Sequence, residues 1–100
     1  MNTKKAANCL EIVSYKSIVS VEAMIPVNQQ MQTFLHQQPG FVRRELAHEQ
    51  QSWTDLVWWQ DLESAKAAAE ALMSQPFAET LMANVDPESI HMQHKQLCRL

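Results

Sequence analysis

Glycine is nearly absent from this 100-residue chain, with Gly40 its only example. A phosphate-cradling loop needs several glycines close together, so it is excluded. No G-x-S-x-G elbow is present, and neither cysteine has an identifiable histidine partner, so nucleophilic catalysis has no signature. Cys9 and Cys98 make no C-x-x-C pair and are too few for a disulfide framework. They read as two free thiols in a reducing compartment. Excess positive charge is missing too: the net charge is −3, the pI is about 5.7, and the lysines and arginines are dispersed. A nucleic-acid partner is therefore not expected. No apolar run approaches the roughly 20 residues that cross a bilayer, and no apolar signal core follows Lys4 and Lys5. The expectation is a cytoplasmic protein with neither a membrane nor a nucleic acid as partner.

Hydrophobic residues, by contrast, make up 46% of the chain, enough for the core of one modest domain. Residues 1–8 read as a flexible tail and residues 9–100 as a single domain. CLEIVSYKSI (9–18), rich in β-branched and aromatic types, predicts a strand. Val27, Met31, Phe34 and Leu35 then form one helical stripe, with Pro26 expected in the first turn. That helix should stop at Pro39-Gly40. FVRRELAH (41–48) and residues 53–60 predict a hairpin joined by the four polar residues EQQS, with its register open by one residue. Asp61 suits a helix N-cap, with Glu63 in the first turn. Ala65, Ala68, Ala69, Leu72 and Met73 mark the helix's apolar face. Pro76 opens a shorter segment carrying Phe77, Leu81 and Met82, and a last strand is expected over 89–98.

The order β-α-β-β-α-β defines an α+β, ferredoxin-like fold: a four-stranded antiparallel sheet with its helices on one face. The other face lies open. In WTDLVWWQD, Trp53, Val57 and Trp59 alternate on one side while Leu56 and Trp58 occupy the other. Apolar residues on both sides require two covers, and a second copy of the chain supplies the missing one. A homodimer is the expectation. The topology also brings Cys9 and Cys98, at the ends of the first and fourth strands, near one another.

QPGFVRRELAHE, WTDLVWWQDLESAKAAAEAL and SQPFAETLMANVDPES resemble the antibiotic biosynthesis monooxygenase-like family over most of residues 9–98. The resemblance implies that two ferredoxin-like units pack their sheets into a dimeric α/β barrel, with a pocket between sheet and helices in each. It also implies activities ranging from cofactor-independent oxygenation of polycyclic phenols to haem degradation. The haem-degrading pattern places a tryptophan and a histidine where this chain has Ala71 and Leu81, which removes the axial ligand for iron.

A cofactor-free oxygenase needs a dry apolar pocket, aromatic walls and a polar group that holds or removes a phenolic proton. No metal or organic cofactor is expected. The candidate walls for a small apolar or aromatic ligand are Tyr15, Phe34, Trp58, Trp59, Phe77 and Met92. His94, Arg43 and His91 are the candidate catalytic groups, with Arg44 and His48 as further polar candidates. Core packing explains most of these aromatics without any chemistry and is the favoured reading for each. Arg43 and Arg44 face opposite sides of a strand, so only one reaches the pocket. His91 and His94, three apart on a strand, also face opposite sides and cannot share a metal. His36, late in the first helix, complements its dipole. Whether Glu45 and Asp55 face one another depends on the hairpin register. Two functions fit: a small homodimeric oxygenase acting on an aromatic or quinone-type metabolite, or a non-catalytic dimer of the same fold that binds a small ligand or serves as an interaction module.

Overall fold

Strand β1 (Cys9–Lys16) runs through the middle of the sheet between β3 (Ser52–Trp59) and β4 (His91–Gln96), and β2 (Phe41–Glu49) forms the far edge. Every neighbouring pair is antiparallel, in the order β2-β3-β1-β4. This computed structural model describes residues 6–100, so most of the expected tail, residues 1–5, lies outside the described residues. Asn8 is already tied into the sheet, its N–H donating to the Trp59 carbonyl at 3.0 Å.

Helices α1 (Val21–His36), α2 (Leu62–Leu72) and α3 (Pro76–Ala83) cover one sheet face. The ferredoxin-like order expected from the sequence is present, with α3 and a 3-10 turn at Pro87–Ser89 inserted before β4. Burial follows residue parity. Cys9, Tyr15, Trp53, Val57 and Trp59 join Met24, Val27 and Phe34 of α1 and Ala65 and Ala68 of α2 in one core. The alanines let α2 approach the sheet closely.

Helix α1 starts earlier than its apolar stripe suggests. Ser20 caps it, its Oγ accepting from the Ala23 N–H at 3.2 Å, which makes Pro26 the sixth helical residue rather than a first-turn one. Proline has no N–H to donate to the Glu22 carbonyl, so the bond normal at this depth is missing.

Gly40 ends the connection into β2 with φ 81°, and a Cβ there would lie 2.1 Å from Ser64 Oγ. Both the backbone angle and the close approach of α2 require glycine at this position. Ser64 is in turn held by the α2 cap, its N–H donating to Asp61 Oδ1 at 2.8 Å. The hairpin loop is shorter than expected: Glu49 pairs with Ser52, leaving only Gln50 and Gln51. Gln50 takes φ 52°, the positive value that two-residue hairpin turns demand.

β4 is shorter than its predicted span: Ser89 belongs to the 3-10 turn Pro87–Ser89, and pairing with β1 ends at Gln96 opposite Cys9. Cys9 pairs with Gln96, two positions from Cys98, so the topology does bring the two cysteine-bearing ends together. Both thiols are free, with Cys9 buried and Cys98 exposed.

Pro26→Ala restores the missing helical bond at an exposed position. Offset by the unfolded-state freedom that proline removes, it should stabilise the protein by about 1 to 2 kcal/mol in urea denaturation. No gain would mean that the helix already compensates at this point.

Candidate functional site

The helix-facing side of the sheet carries more than apolar residues. Across the strands, His94, Glu11, Val57 and Arg44 form one row, while Met92, Val13, Asp55 and Leu46 form the next. Between this face and the helices lies a cavity of about 270 Å³. Val13, Val57 and Trp59 of the sheet, Phe34 and Leu35 of α1, and Ala68 and Leu72 of α2 make its walls. Met73, Met82 and Met92 line it while also reaching solvent, so they form its mouth. Methionine is unbranched and polarisable, which lets such a rim adapt to its occupant.

One end of the cavity is polar. Arg44 and Asp55 form a bidentate ion pair: Nε donates to Oδ1 at 2.9 Å and Nη2 to Oδ2 at 2.6 Å. The side chains are only 3% and 11% exposed. Arg44 also donates to Asn28 Oδ1 at 2.7 Å and Gln32 Oε1 at 3.2 Å on α1. Asn28 donates onward to the Met24 carbonyl at 3.0 Å. Burial lifts the Tyr15 hydroxyl above its ordinary pKa, and the charge of Asp55 adds to this, while Asn28 and Arg44 oppose it.

Glu11 lines the same cavity, and its Oε1 lies 3.1 Å from His94 Nε2 across β1 and β4. Burial raises the Glu11 pKa; His94 pulls it back, Asp55 pushes it up and the nearby Trp59 indole lowers it. Although that indole is close enough to influence the carboxyl, Trp59 Nε1 makes no hydrogen bond of ordinary geometry. Trp59 is 1% exposed. A buried donor without a partner costs about 1 to 3 kcal/mol.

Among the candidate residues from the sequence, Tyr15, Phe34, Trp59 and Met92 line the cavity. Trp58 does not: it sits on the opposite sheet face, where Arg43 stacks over its ring at 3.9 Å. Phe77 packs edge-on against Phe34, with ring centroids 6.1 Å apart, behind the cavity wall. Arg43 lies outside the site for the same reason of parity, pairing with Glu45 at 3.3 Å on the open face. His91 pairs with Ser14, which puts it on that face as well. His94 falls on the cavity side and reaches it through Glu11. His36 bonds Gln32 at 3.0 Å, and His48 bonds the Gln50 carbonyl at 3.0 Å; both are exposed. Glu45 sits opposite Leu56, so Glu45 and Asp55 occupy opposite faces and form no carboxylate pair.

Glu11, Asp55 and Asn28 carry the polar chemistry of the cavity, with Arg44 held behind Asp55, and all three escape a reading by motif. The signal for Asp55 was parity: stepping from Trp53 to Val57 by twos passes through it.

Among the described residues, no group of three or more histidines, cysteines or carboxylates is placed to hold a metal ion. No described helix is long and apolar enough to cross a membrane. No family model matches the chain. No curated protein matches it in sequence either. Solved structures do match. SnoaB, a cofactor-independent oxygenase from Streptomyces nogalater, is 20% identical over 95% of this chain and 97% of its own, with a TM-score of 0.77. A candidate antibiotic biosynthesis monooxygenase from Bordetella bronchiseptica is 14% identical over 94% of this chain and all of its own (100%), with a TM-score of 0.75. A dimeric ferredoxin-like protein from an uncultured marine organism is 11% identical over 98% of this chain and 94% of its own, with a TM-score of 0.64. The protein thus shares the ferredoxin-like fold of these structures.

Removing one member of the buried ion pair leaves an uncompensated charge. Arg44→Met should cost about 3 to 5 kcal/mol, and adding Asp55→Leu to it should recover most of that loss. Equal stability of the single and double variants in chemical denaturation would show that the pair is not the constraint described.

Proposed function

We propose that this protein is a cofactor-independent oxygenase acting on a planar aromatic or quinone-type metabolite. The observation that carries this reading is Trp59 Nε1, a buried donor without a partner, on the wall of a cavity that is otherwise mostly apolar. A phenolic or quinone oxygen fits such a donor, and the apolar walls accept the rings. The fold likeness to SnoaB supports the reaction class.

The chemistry asks little of the protein beyond holding the substrate and its anion. An anthrone-type CH₂ between aromatic rings loses two hydrogens and gains one oxygen atom of O₂. The second oxygen leaves with those hydrogens as water, so the four electrons that reduce O₂ come from the substrate. A hydrogen bond from Trp59 Nε1 to the substrate oxygen stabilises the electron-rich anion that begins this sequence.

The unit that performs this is residues 9–100, acting as a homodimer in the cytoplasm. On the open sheet face, Leu10 and Ile12 of β1 pair with Trp58 and Leu56 of β3, and Arg43, Glu45, Gln93 and Lys95 flank them. An apolar centre with a polar rim suits association of two such faces into a barrel. A dimeric protein among the structural neighbours supports the same arrangement. Two free thiols agree with a reducing compartment.

Oxygen uptake with a panel of anthrones and hydroquinones tests the reaction. Wild type should consume O₂, and Trp59→Phe, which keeps the ring but removes the N–H, should lose about 100-fold in kcat, as does removal of an oxyanion donor. Full activity in Trp59→Phe would remove the residue on which the reading rests. Leu56→Glu should convert the dimer to a monomer in sedimentation velocity. An unchanged sedimentation coefficient would place the interface elsewhere.

A further inference from the structure

Asp55 is committed to Arg44, but the other carboxylate of the cavity is not neutralised in this way. Glu11 lines the cavity with its side chain 13% exposed, and it meets His94, whose side chain is 24% exposed. His94 belongs to β4, an edge strand whose residues are all exposed. The pair therefore spans the distance from a closed apolar interior to water in one cross-strand contact.

We propose that Glu11 accepts the proton of the substrate hydroxyl and that His94 passes it to solvent. This rests on the oxygenase reading only for the fate of the anion. The substrate O–H bond breaks, its electron pair stays on the substrate oxygen, and an O–H bond forms on Glu11. With His94 neutral and its proton on Nδ1, the proton moves from Glu11 Oε1 to the free Nε2, and the imidazolium then releases its Nδ1 proton to water. Glu11 ends as the carboxylate it began as, while His94 ends with its proton on Nε2 and regains the starting Nδ1–H form by proton exchange with water; the substrate remains as its anion in the cavity.

The surroundings suit the role. On the cavity side of the sheet, the charged and titratable groups around Glu11 are His94 on β4, Asp55 on β3, Arg44 on β2, and Cys9 and Tyr15 on β1. Helix α1 contributes Asn28, Phe34 and Leu35 to the lining, and α2 only apolar side chains. Burial raises the carboxyl's affinity for a proton, with Asp55 assisting, while His94 keeps the carboxylate form accessible. A base works best when its pKa lies near the working pH. Glu11 touches the substrate and is the catalytic residue; His94 acts through it as a positioning residue.

Two probes test this. With dithranol and O₂, Glu11→Gln should lower kcat about 100-fold with little change in KM, and the fall in activity on acidification should vanish. His94→Gln should move that acid limb to higher pH, because Glu11 then holds its proton more tightly. With para-nitrophenol, wild type should bind the probe in its ionised form, visible as the phenolate band. Glu11→Gln should bind it neutral, since the apolar cavity penalises an anion whose proton has no acceptor. An unchanged acid limb in both variants, the same phenolate band in Glu11→Gln, or no nitrophenol binding by wild type would overturn the proposal. If Glu11→Gln does not fold, the limb shift in His94→Gln decides. A wild type that ionises nitrophenol through Glu11 yet consumes no O₂ would defeat the oxygenase reading and leave the proton acceptor standing.

Discussion

The contact between Arg44 and Asp55 constrains the rest of the molecule. Two charges withdrawn from water are each unfavourable, and they are tolerated only because the guanidinium meets the carboxylate with both edges and its remaining hydrogens find α1. The contact therefore joins β2, β3 and α1 at once. It also enforces register, because a slip of one residue in the hairpin would turn Asp55 to the opposite face and strand Arg44. The polar end of the cavity is a product of this pair, and so is its overall neutrality. What remains is an apolar chamber lined in part by the Trp59 ring and the Glu11 carboxyl.

The sheet separates two tasks by parity alone. Along β3, Trp53, Asp55, Val57 and Trp59 face the helices and the cavity, while Thr54, Leu56 and Trp58 face away. A change on one side therefore leaves the other largely untouched. The open face is less uniformly apolar than WTDLVWWQD suggests on its own. Its central strands supply Leu10, Ile12, Leu56 and Trp58, but its edge strands supply arginine, glutamate, histidine and lysine.

Much of the fold was legible because periodicity and punctuation act locally. The element order, the Asp61 cap and the end of α1 near Gly40 all follow from residues adjacent in the chain. Pro26 misled because a proline reads as a helix start, whereas Ser20 caps the helix several residues earlier. The hairpin loop misled because four polar residues read as loop, although Glu49 and Ser52 still pair. The cavity was legible only in part. Tyr15, Phe34, Trp59 and Met92 were visible as large apolar residues on regular elements. Glu11 and Asp55 were not, because a charge embedded in an apolar strand gains meaning only when its cross-strand partner is known. Arg43 and Arg44 differ by one position, and the bulge between Phe41 and Arg43 shifts the pairing that decides which of them turns inward.

The three tryptophans of β3 also give the molecule a built-in set of optical reporters. Trp53 is stacked in the core near Tyr15, with ring centroids 6.4 Å apart, and bonds Ser17. Trp59 looks into the cavity and Trp58 out through the open face. Indole emission depends on polarity and hydrogen bonding, so one strand carries separate fluorescence signals for folding, for occupancy of the cavity and for coverage of the sheet. Single-tryptophan versions would follow each event in solution without any added label.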